Sequence, residues 1–389
     1  MLGIPVPARP SRGIALLHGL ALLQLWLVPA VHSQPFALSL RWNGPGASQP
    51  LEAIWPTATN RQYFLERTTN WTEWSLFPRM GVGDGSPAAW PLPWGGVREF
   101  FRVWQLPPPA KDWVTATAMT TQVQFQLLRS PTLGRPVSFH VMLPPSYAAQ
   151  PNRRYPVLYW LHGSGGGLDG VPQLANFFSN AMTTARMPHA LVVFPNGLPN
   201  SMWCNSKDGT SPVETVVIDE LIPHVDRTFR TIASRAGRIV EGFSMGGHGA
   251  GRYGLKHADV FRACSLLGAG PLQLDFLEDD PALAPIEQRQ LLFAEVYGND
   301  MGYYLAQHPW TWADTRAGQL PANHRIRFVV GTADDLLANN RELHDHLTAL
   351  GIAHDYLEVP GVGHSPLPTL SGAGTNNWSF YQAVLSGVE

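Results

Sequence analysis

The stretch that most constrains this chain is Gly242-Phe243-Ser244-Met245-Gly246-Gly247. A short apolar run, Arg238-Ile239-Val240, precedes it, and a segment that reads as a helix, His248 to His257, follows. Gly-x-Ser-x-Gly between a strand and a helix is a nucleophile elbow. The serine must sit on a sharp, strained turn for its hydroxyl to project above a sheet. Gly242 and Gly246 leave room where a β-carbon would strike the neighbouring strand or helix. The N–H of Met245, the next residue, then points towards a substrate oxygen. The bare motif arises often by chance, so its partners decide the matter.

In this arrangement the partners follow in the order serine, acid, histidine. Arg325 to Val330 reads as a buried strand, and Gly331-Thr332-Ala333-Asp334-Asp335 ends it. Functional acids in open sheets of this kind sit on loops at the carboxyl ends of strands. Both aspartates are placed for the task. Asp334 is taken as the acid and Asp335 as the N-cap of a helix beginning near Leu336, since aspartate is favoured there. A further strand, Asp355 to Val359, leads into Gly361-Val362-Gly363-His364. A histidine in a glycine-rich loop after the last strand is able to swing its imidazole to the serine.

A fourth element is Tyr155 to Leu161, an apolar run that opens directly into His162-Gly163-Ser164-Gly165-Gly166-Gly167. This reads as an oxyanion-hole loop, in which the N–H of Ser164 joins that of Met245, with Gly163 the alternative donor. No Gly-Lys-Ser/Thr follows, so the loop is not a phosphate cradle.

With these pieces in hand, the chain from about Val137 to its end resembles the esterase D group of α/β-hydrolases, which includes feruloyl esterases, acetylxylan esterases, S-formylglutathione hydrolases and mycolyltransferases. Tyr155 to Gly167, Glu220 to Asp226, Gly242 to Gly247, Gly331 to Asp334 and Gly361 to His364 carry the resemblance. It implies an α/β fold, a mostly parallel central sheet flanked by helices. It also implies Ser244 as nucleophile, His364 as base and Asp334 as the orienting acid. The histidine loop departs from the family pattern: a tryptophan commonly follows shortly, whereas here Ser365-Pro366-Leu367-Pro368 follows and the next tryptophan is Trp378. That loop lines a substrate entrance, so the departure bears on substrate identity. Trp203, in the loop after Asn196-Gly197, is either a wall of the substrate pocket or a packed anchor. The aromatic-rich insert between Pro271 and Ile326 lies where part of a substrate wall is expected.

The 389 residues suffice for two domains. Charged residues are only 14% and the net charge is −2, with no basic stripe, which argues against nucleic-acid binding. Residues 1–33 read as a secretory signal: Arg9 and Arg12, then a largely apolar Gly13 to Val28, then Val31-His32-Ser33. The apolar run is short for a membrane span. The expected product is a secreted or periplasmic bacterial protein without stable membrane insertion. Residues 34–106 read as a small β-sandwich, 107–112 as a Pro-rich linker, and 113–389 as the hydrolase domain. The Tyr63 to Thr69 segment, with Trp71, Trp74 and Phe100 to Val103, resembles a β module common in secreted bacterial proteins. This region holds Trp42, Trp55, Trp71, Trp74, Trp90, Trp94 and Trp104. They read as core packing, with a sugar-stacking platform that contacts polysaccharide as the alternative.

The two cysteines, Cys204 and Cys264, lack metal-site spacing, and a bridge between them is open in an exported protein. Neither metal nor cofactor is expected. Asn70-Trp71-Thr72 and Asn377-Trp378-Ser379 fit the glycosylation pattern, which would stand idle in a bacterial export. The expected function is hydrolysis of feruloyl or acetyl esters on polysaccharide. Two alternatives use the same sequence: an acyltransferase of the mycolyltransferase type, and a non-catalytic carbohydrate-binding protein on a hydrolase scaffold.

Overall fold

The structure is a computed structural model that describes residues 13–16, 37–44, 51–93, 99–118, 120–168, 170–278 and 283–387. The remainder of the expected leader, and Phe36, Trp94, Gly95, Gly96 and Val388, lie outside the described residues. The chain divides into two units, Met1–Val114 with Gln126–Arg129, and Thr115–Phe125 with Ser130–Glu389.

The first unit is antiparallel β. Its strands are β1 (Gly13–Leu16), β2 (Ser39–Trp42), β3 (Leu51–Trp55), β4 (Gln62–Thr68), β5 (Ser75–Val82), β6 (Ala88–Leu92) and β7 (Phe100–Leu106). They form one sheet in the order β1-β7-β4-β5 and a second in the order β2-β3-β6. Period-two patterning drives the packing: Leu51, Ala53 and Trp55 of β3 point inward and are buried. Across from them lie Tyr63 and Leu65 of β4 and Phe101 and Val103 of β7. Gly81 of β5 is needed for this contact, because a β-carbon there would sit 2.8 Å from the Trp90 ring. The tryptophans split. Trp55, Trp90 and Trp104 are core, whereas Trp42 and Trp71 are exposed. Four residues of the segment read as a leader, Gly13–Leu16, pair antiparallel with β7.

The other eight strands form a single sheet. Its strands are β8 (Gln124–Ser130), β9 (Arg135–Met142), β10 (Val157–Leu161), β11 (Leu191–Pro195), β12 (Arg238–Phe243), β13 (Ala263–Leu267), β14 (Arg325–Gly331) and β15 (Asp355–Val359). The order is β15-β14-β13-β12-β10-β11-β9-β8. β10 through β15 are mutually parallel where they pair, and β9 runs antiparallel to β11. β10, β11 and β13 are buried along their whole length, as the near-continuous apolar runs of a two-faced parallel sheet require. The strand order reverses around β10, β11 and β12, so the carboxyl ends of β10 and β12 flank a switch point.

Helices cover the sheet. Val171–Thr183 presents Leu174, Phe178 and Met182 to the core. Val213–Thr215, Val216–Leu221 and Ile222–Thr228 run on as one helix whose middle is a π segment. The helix after the elbow begins at Met245 and ends at Lys256, starting earlier than its apolar spacing suggests. Beyond the histidine loop the chain forms two helices, Pro366–Gly372 and Gly374–Leu385. Proline at the first position of the former is preorganised for a helix start.

Beneath the elbow the sheet interior is ionic. Arg327 donates to Glu241 Oε2 (2.6 Å), Asn377 Oδ1 (2.8 Å) and Ser265 Oγ (3.0 Å), and Tyr381 donates to Glu241 Oε1 (2.6 Å). Asn377 is fully buried in this network, so its acceptor pattern is closed to glycosylation. At Asn70 the side-chain oxygen already accepts from the N–H of Thr72 and Glu73. Cys204 and Cys264 are free, buried thiols, so the bridge held open on sequence is not formed. Burial pushes both up to about 12. Among the described residues, no helix is long and apolar enough to cross a membrane.

Candidate active site

Ser244 ends β12 at φ 59°, ψ −121°, a left-handed conformation that a side-chain-bearing residue holds only under constraint. The constraint is visible. Its N–H donates to Leu267 O (3.0 Å), and its carbonyl accepts from His248 (3.0 Å) and Gly270 (3.1 Å). The flanking glycines are sterically required: a β-carbon on Gly242 would lie 2.3 Å from Gly246 O, and one on Gly246 would lie 1.9 Å from Leu161 O.

The partners meet at this turn. His364 Nε2 lies 2.9 Å from Ser244 Oγ, and His364 Nδ1 lies 2.9 and 3.0 Å from the two carboxylate oxygens of Asp334. The Asp334 side chain is fully buried and that of His364 is about one-third exposed, at 0% and 36%. The two loops are stitched together. Thr332 N–H donates to Val359 O (2.9 Å), Ala333 N–H to Val362 O (3.0 Å) and Gly361 N–H to Thr332 Oγ1 (2.8 Å). Gly331 permits this, since a β-carbon there would meet Val362 O at 1.9 Å. Phe243 packs on the His364 ring at 4.5 Å.

One assignment is corrected here. Asp335 is exposed and caps nothing; the N–H of Leu336 donates to Asp334 Oδ1 (2.9 Å) and Leu337 follows as the first residue of its helix. A single buried carboxylate therefore serves both the imidazole and the helix start.

On the other side of Ser244 stands the glycine loop after β10. A β-carbon on Gly163 would lie 3.3 Å from Ser244 Cβ, so Gly163 and Ser244 are in close apposition. Among the described residues, the N–H groups of Gly163, Ser164 and Met245 bond to no backbone acceptor. Met245 begins a helix, where free N–H groups and the helix dipole favour negative charge. A cavity of about 450 Å³ opens over the turn, lined by Gly163 to Gly167, Ser244 and His364, with Trp160, Leu174, Phe243 and Pro366 as its apolar walls. Pro366 stands two residues beyond His364 on this wall. Trp378, the next tryptophan along the chain, stacks on Phe177, with ring centroids 5.5 Å apart.

Trp203 does not line this cavity. It is fully buried, and its indole N–H donates to His162 O (3.0 Å). The anchor reading holds and the wall reading fails. The insert also stays outside: its helices Ile286–Tyr297, Met301–Gln307 and Pro309–Arg316 contribute no lining residue. Phe276, Phe293, Tyr297 and Tyr304 pack on one another, and the Pro309–Arg316 helix lies against the elbow helix. Sequence reasoning missed the walls Trp160, Leu174 and Phe243, because strand and helix residues that face a pocket look like core. Among the described residues, no group of three or more His, Cys, Asp or Glu is arranged to hold a metal ion.

Comparison with known proteins gives the family. Residues 130–388 match the family described as "Putative esterase". An esterase of Mycobacterium tuberculosis is 35% identical over 245 residues, covering 58% of this chain and 52% of that protein. An endo-1,4-beta-xylanase/feruloyl esterase of Xylanibacter ruminicola is 30% identical over 162 residues, covering 40% of this chain and 22% of that protein. The chain thus spans about half the length of the mycobacterial relative and less of the other. Among solved structures, a ferulic acid esterase (TM-score 0.53, 22% identity, 67% of this chain and 95% of that one) shares the fold. So does an S-formylglutathione hydrolase from Agrobacterium tumefaciens (TM-score 0.54, 18% identity, 70% of this chain and 99% of that one).

Proposed function

The chain belongs to the esterase family, and on that premise we propose that Ser244, His364 and Asp334 hydrolyse carboxylic esters through an acyl-enzyme. The observation that carries the reading is the hydrogen-bond chain from Asp334 through His364 to Ser244, with both junctions at 2.9 Å. Asp334 accepts from Nδ1–H, which leaves Nε2 as the acceptor facing the serine hydroxyl. When Ser244 Oγ attacks the ester carbon, Nε2 takes its proton and the buried carboxylate stabilises the imidazolium. The carbonyl oxygen becomes an oxyanion, and the N–H groups of Met245 and Ser164 are the donors assigned to it, with Gly163 beside them. His364 returns the proton to the leaving alcohol. Water then repeats the attack on the acyl-enzyme and frees the acid.

The substrate class is read as feruloyl or acetyl esters carried on polysaccharide. Support comes from the Xylanibacter relative, named for both xylanase and feruloyl esterase, and from a pocket whose walls mix aromatic and aliphatic side chains with an open glycine floor. Residues 1–33 are proposed as an export signal, residues 34–106 as an accessory domain that contacts the polysaccharide, and residues 113–389 as the hydrolase domain.

The test is turnover of p-nitrophenyl acetate, p-nitrophenyl butyrate, methyl ferulate and acetylated xylan by the native chain and by Ser244→Ala. Native turnover with loss of about 10⁶-fold in kcat for the variant is expected, as for other serine-triad nucleophiles. Near-native rates for Ser244→Ala would overturn the reading. Activity on acetate esters alone would narrow the class to deacetylation.

A further inference from the structure

Two buried aromatic side chains, His162 and Trp203, hydrogen-bond to the backbone of the glycine loop, and His162 also lines the cavity. The Trp203 indole N–H donates to His162 O (3.0 Å). The N–H of Gly197 donates to His162 Nε2 (3.2 Å), so that nitrogen carries no proton. The ring's proton is then on Nδ1, which donates to Gly163 O (2.8 Å). The rings also meet each other edge to face, with centroids 4.8 Å apart.

These two bonds fix two successive peptide planes. In a trans peptide the C=O of one residue and the N–H of the next point in opposite directions. Holding His162 O therefore sets the direction of Gly163 N–H, and holding Gly163 O sets that of Ser164 N–H. Both carbonyls are held by ring N–H donors, so both N–H groups point away from those donors, and Ser244 lies against Gly163.

The surroundings are built to receive the rings. A β-carbon on Gly167 would lie 2.5 Å from the His162 ring. One on Gly197 would lie 2.4 Å from the Trp203 ring, and one on Gly249 would lie 2.6 Å from Trp203 Cβ. Trp203 itself sits at φ 54°, directly after Met202 at φ 55°, a pair of left-handed bulky residues that is costly unless the surroundings over-determine it. Ser201 Oγ accepts from the Trp203 N–H (3.1 Å), and Arg252 donates to the Trp203 carbonyl (3.3 Å), which ties the ring to the elbow helix. Burial also pushes His162 down to about 4, which keeps the ring neutral in the tautomer the clamp needs.

We propose that His162 and Trp203 are positioning residues: a two-point clamp that orients the Gly163 and Ser164 N–H groups towards the oxyanion before substrate arrives. The proposal rests on the esterase reading above. Such preorganised donors act on the developing charge of the transition state and little on the bound ester. Loosening the clamp therefore lowers kcat and spares KM.

The test measures kcat and KM on p-nitrophenyl acetate for Trp203→Phe, His162→Asn and His162→Gln, with melting curves for each and Ser244→Ala alongside. Trp203→Phe keeps the ring and removes the donor. The Asn amide reaches the Nδ1 position and keeps the bond to Gly163 O, whereas the Gln amide reaches the Nε2 position and loses it. A drop in kcat of about tenfold to a hundredfold is expected for Trp203→Phe and His162→Gln, below the 10²–10³ typical of deleting a donor outright. KM should stay within about twofold. His162→Asn should keep several times more kcat than His162→Gln. Folded variants with native kcat, or equal losses in the Asn and Gln forms, would overturn the clamp. Loss of fold in all three would also overturn it, since the rings would then serve stability alone. If Ser244→Ala retains hydrolysis, the underlying esterase reading fails instead.

Discussion

The two flanks of Ser244 are built by opposite means. On one side stand polar side chains, Asp334 and His364, each delivered by a loop after a parallel strand. On the other side stand the backbone N–H groups of the glycine loop, and the side chains bonded to that loop, His162 and Trp203, are buried. On the proposed mechanism the first flank moves a proton and so needs titratable groups in a chain of hydrogen bonds, whereas the second holds charge that exists only in the transition state and so needs fixed dipoles. A proton relay advertises itself in residue types, whereas a dipole cradle advertises itself in glycines and in the rings that press on them.

The largest expected effect breaks the relay flank. Asp334→Asn keeps the shape of the carboxylate but offers an amide to His364 Nδ1, which favours the wrong tautomer. A kcat loss of about 10³–10⁴-fold is expected. The same change leaves Leu336 N–H an acceptor in the amide oxygen only in one orientation, so a modest loss of stability accompanies it. Single-turnover kinetics and a melting curve on one preparation separate the two effects. A kcat within tenfold of native would show that the relay flank does not depend on its acid.

Gly268 comes next, and it shows that the relay flank also depends on a missing side chain. It sits at φ 44°, where a β-carbon would lie 2.8 Å from Asp334 Oδ2 and 3.0 Å from the Phe243 ring. Gly268→Ala must therefore push the carboxylate off His364. A kcat loss of about tenfold to a hundredfold is expected, with about 1–2 kcal/mol of lost stability from the strained backbone. An unchanged kcat would mean that Asp334 relocates without consequence for the imidazole.

Much of the relay flank was legible in the sequence. Ser244, Asp334 and His364 fall at the ends of β12, β14 and β15 as their order and the apolar runs before them require. The rest was hidden for physical reasons. Trp203 packs on Gly249 and donates to His162 O, both far from it in sequence, so neither its direction nor its hydrogen bond could be read from neighbours. Leu174 lines the pocket from a helix whose apolar stripe is ordinary core elsewhere. The 271–326 insert carried aromatics that suggested a substrate wall, yet those rings satisfy one another. In the first unit the strand runs at β4 and β7 were readable, but both are buried along nearly their whole length where half-buried alternation was expected, while β5 has a mixed pattern of half-exposed residues and offered no period.

The hidden flank carries its own pH signature. Burial lowers His162 to about 4 from an ordinary 6.5, so the folded chain binds this proton more weakly than the unfolded chain. Its contribution to stability is then complete above about pH 6.5 and is lost as pH falls towards 4. Between pH 7 and pH 5 this one ring removes about 1–2 kcal/mol of unfolding free energy. His140, His224 and His324, each also lowered to about 4 by burial, add to the trend. Urea unfolding at the two pH values measures the total, and the same pair of experiments on His162→Asn isolates the clamp. An identical pH slope in the variant would show that His162 is not held neutral by burial.

The smallest effect is expected at Asp335, and it sharpens the comparison most finely. Asp335 differs from Asp334 by one position, and by sequence either carboxylate suits the acid loop. The structure separates them by burial: Asp334 turns inward to His364 and to the Leu336 N–H, and Asp335 turns to solvent. A surface carboxylate without a partner contributes within about 0.5 kcal/mol to stability. Asp335→Asn is thus expected to leave kcat/KM within about twofold of native. Paired with Asp334→Asn on the same substrate, it tests whether the acid's role follows from the one-residue turn that buries it. Equal losses in the two variants would mean that the charge of the loop as a whole, and not the Asp334–His364 bond, sets the imidazole.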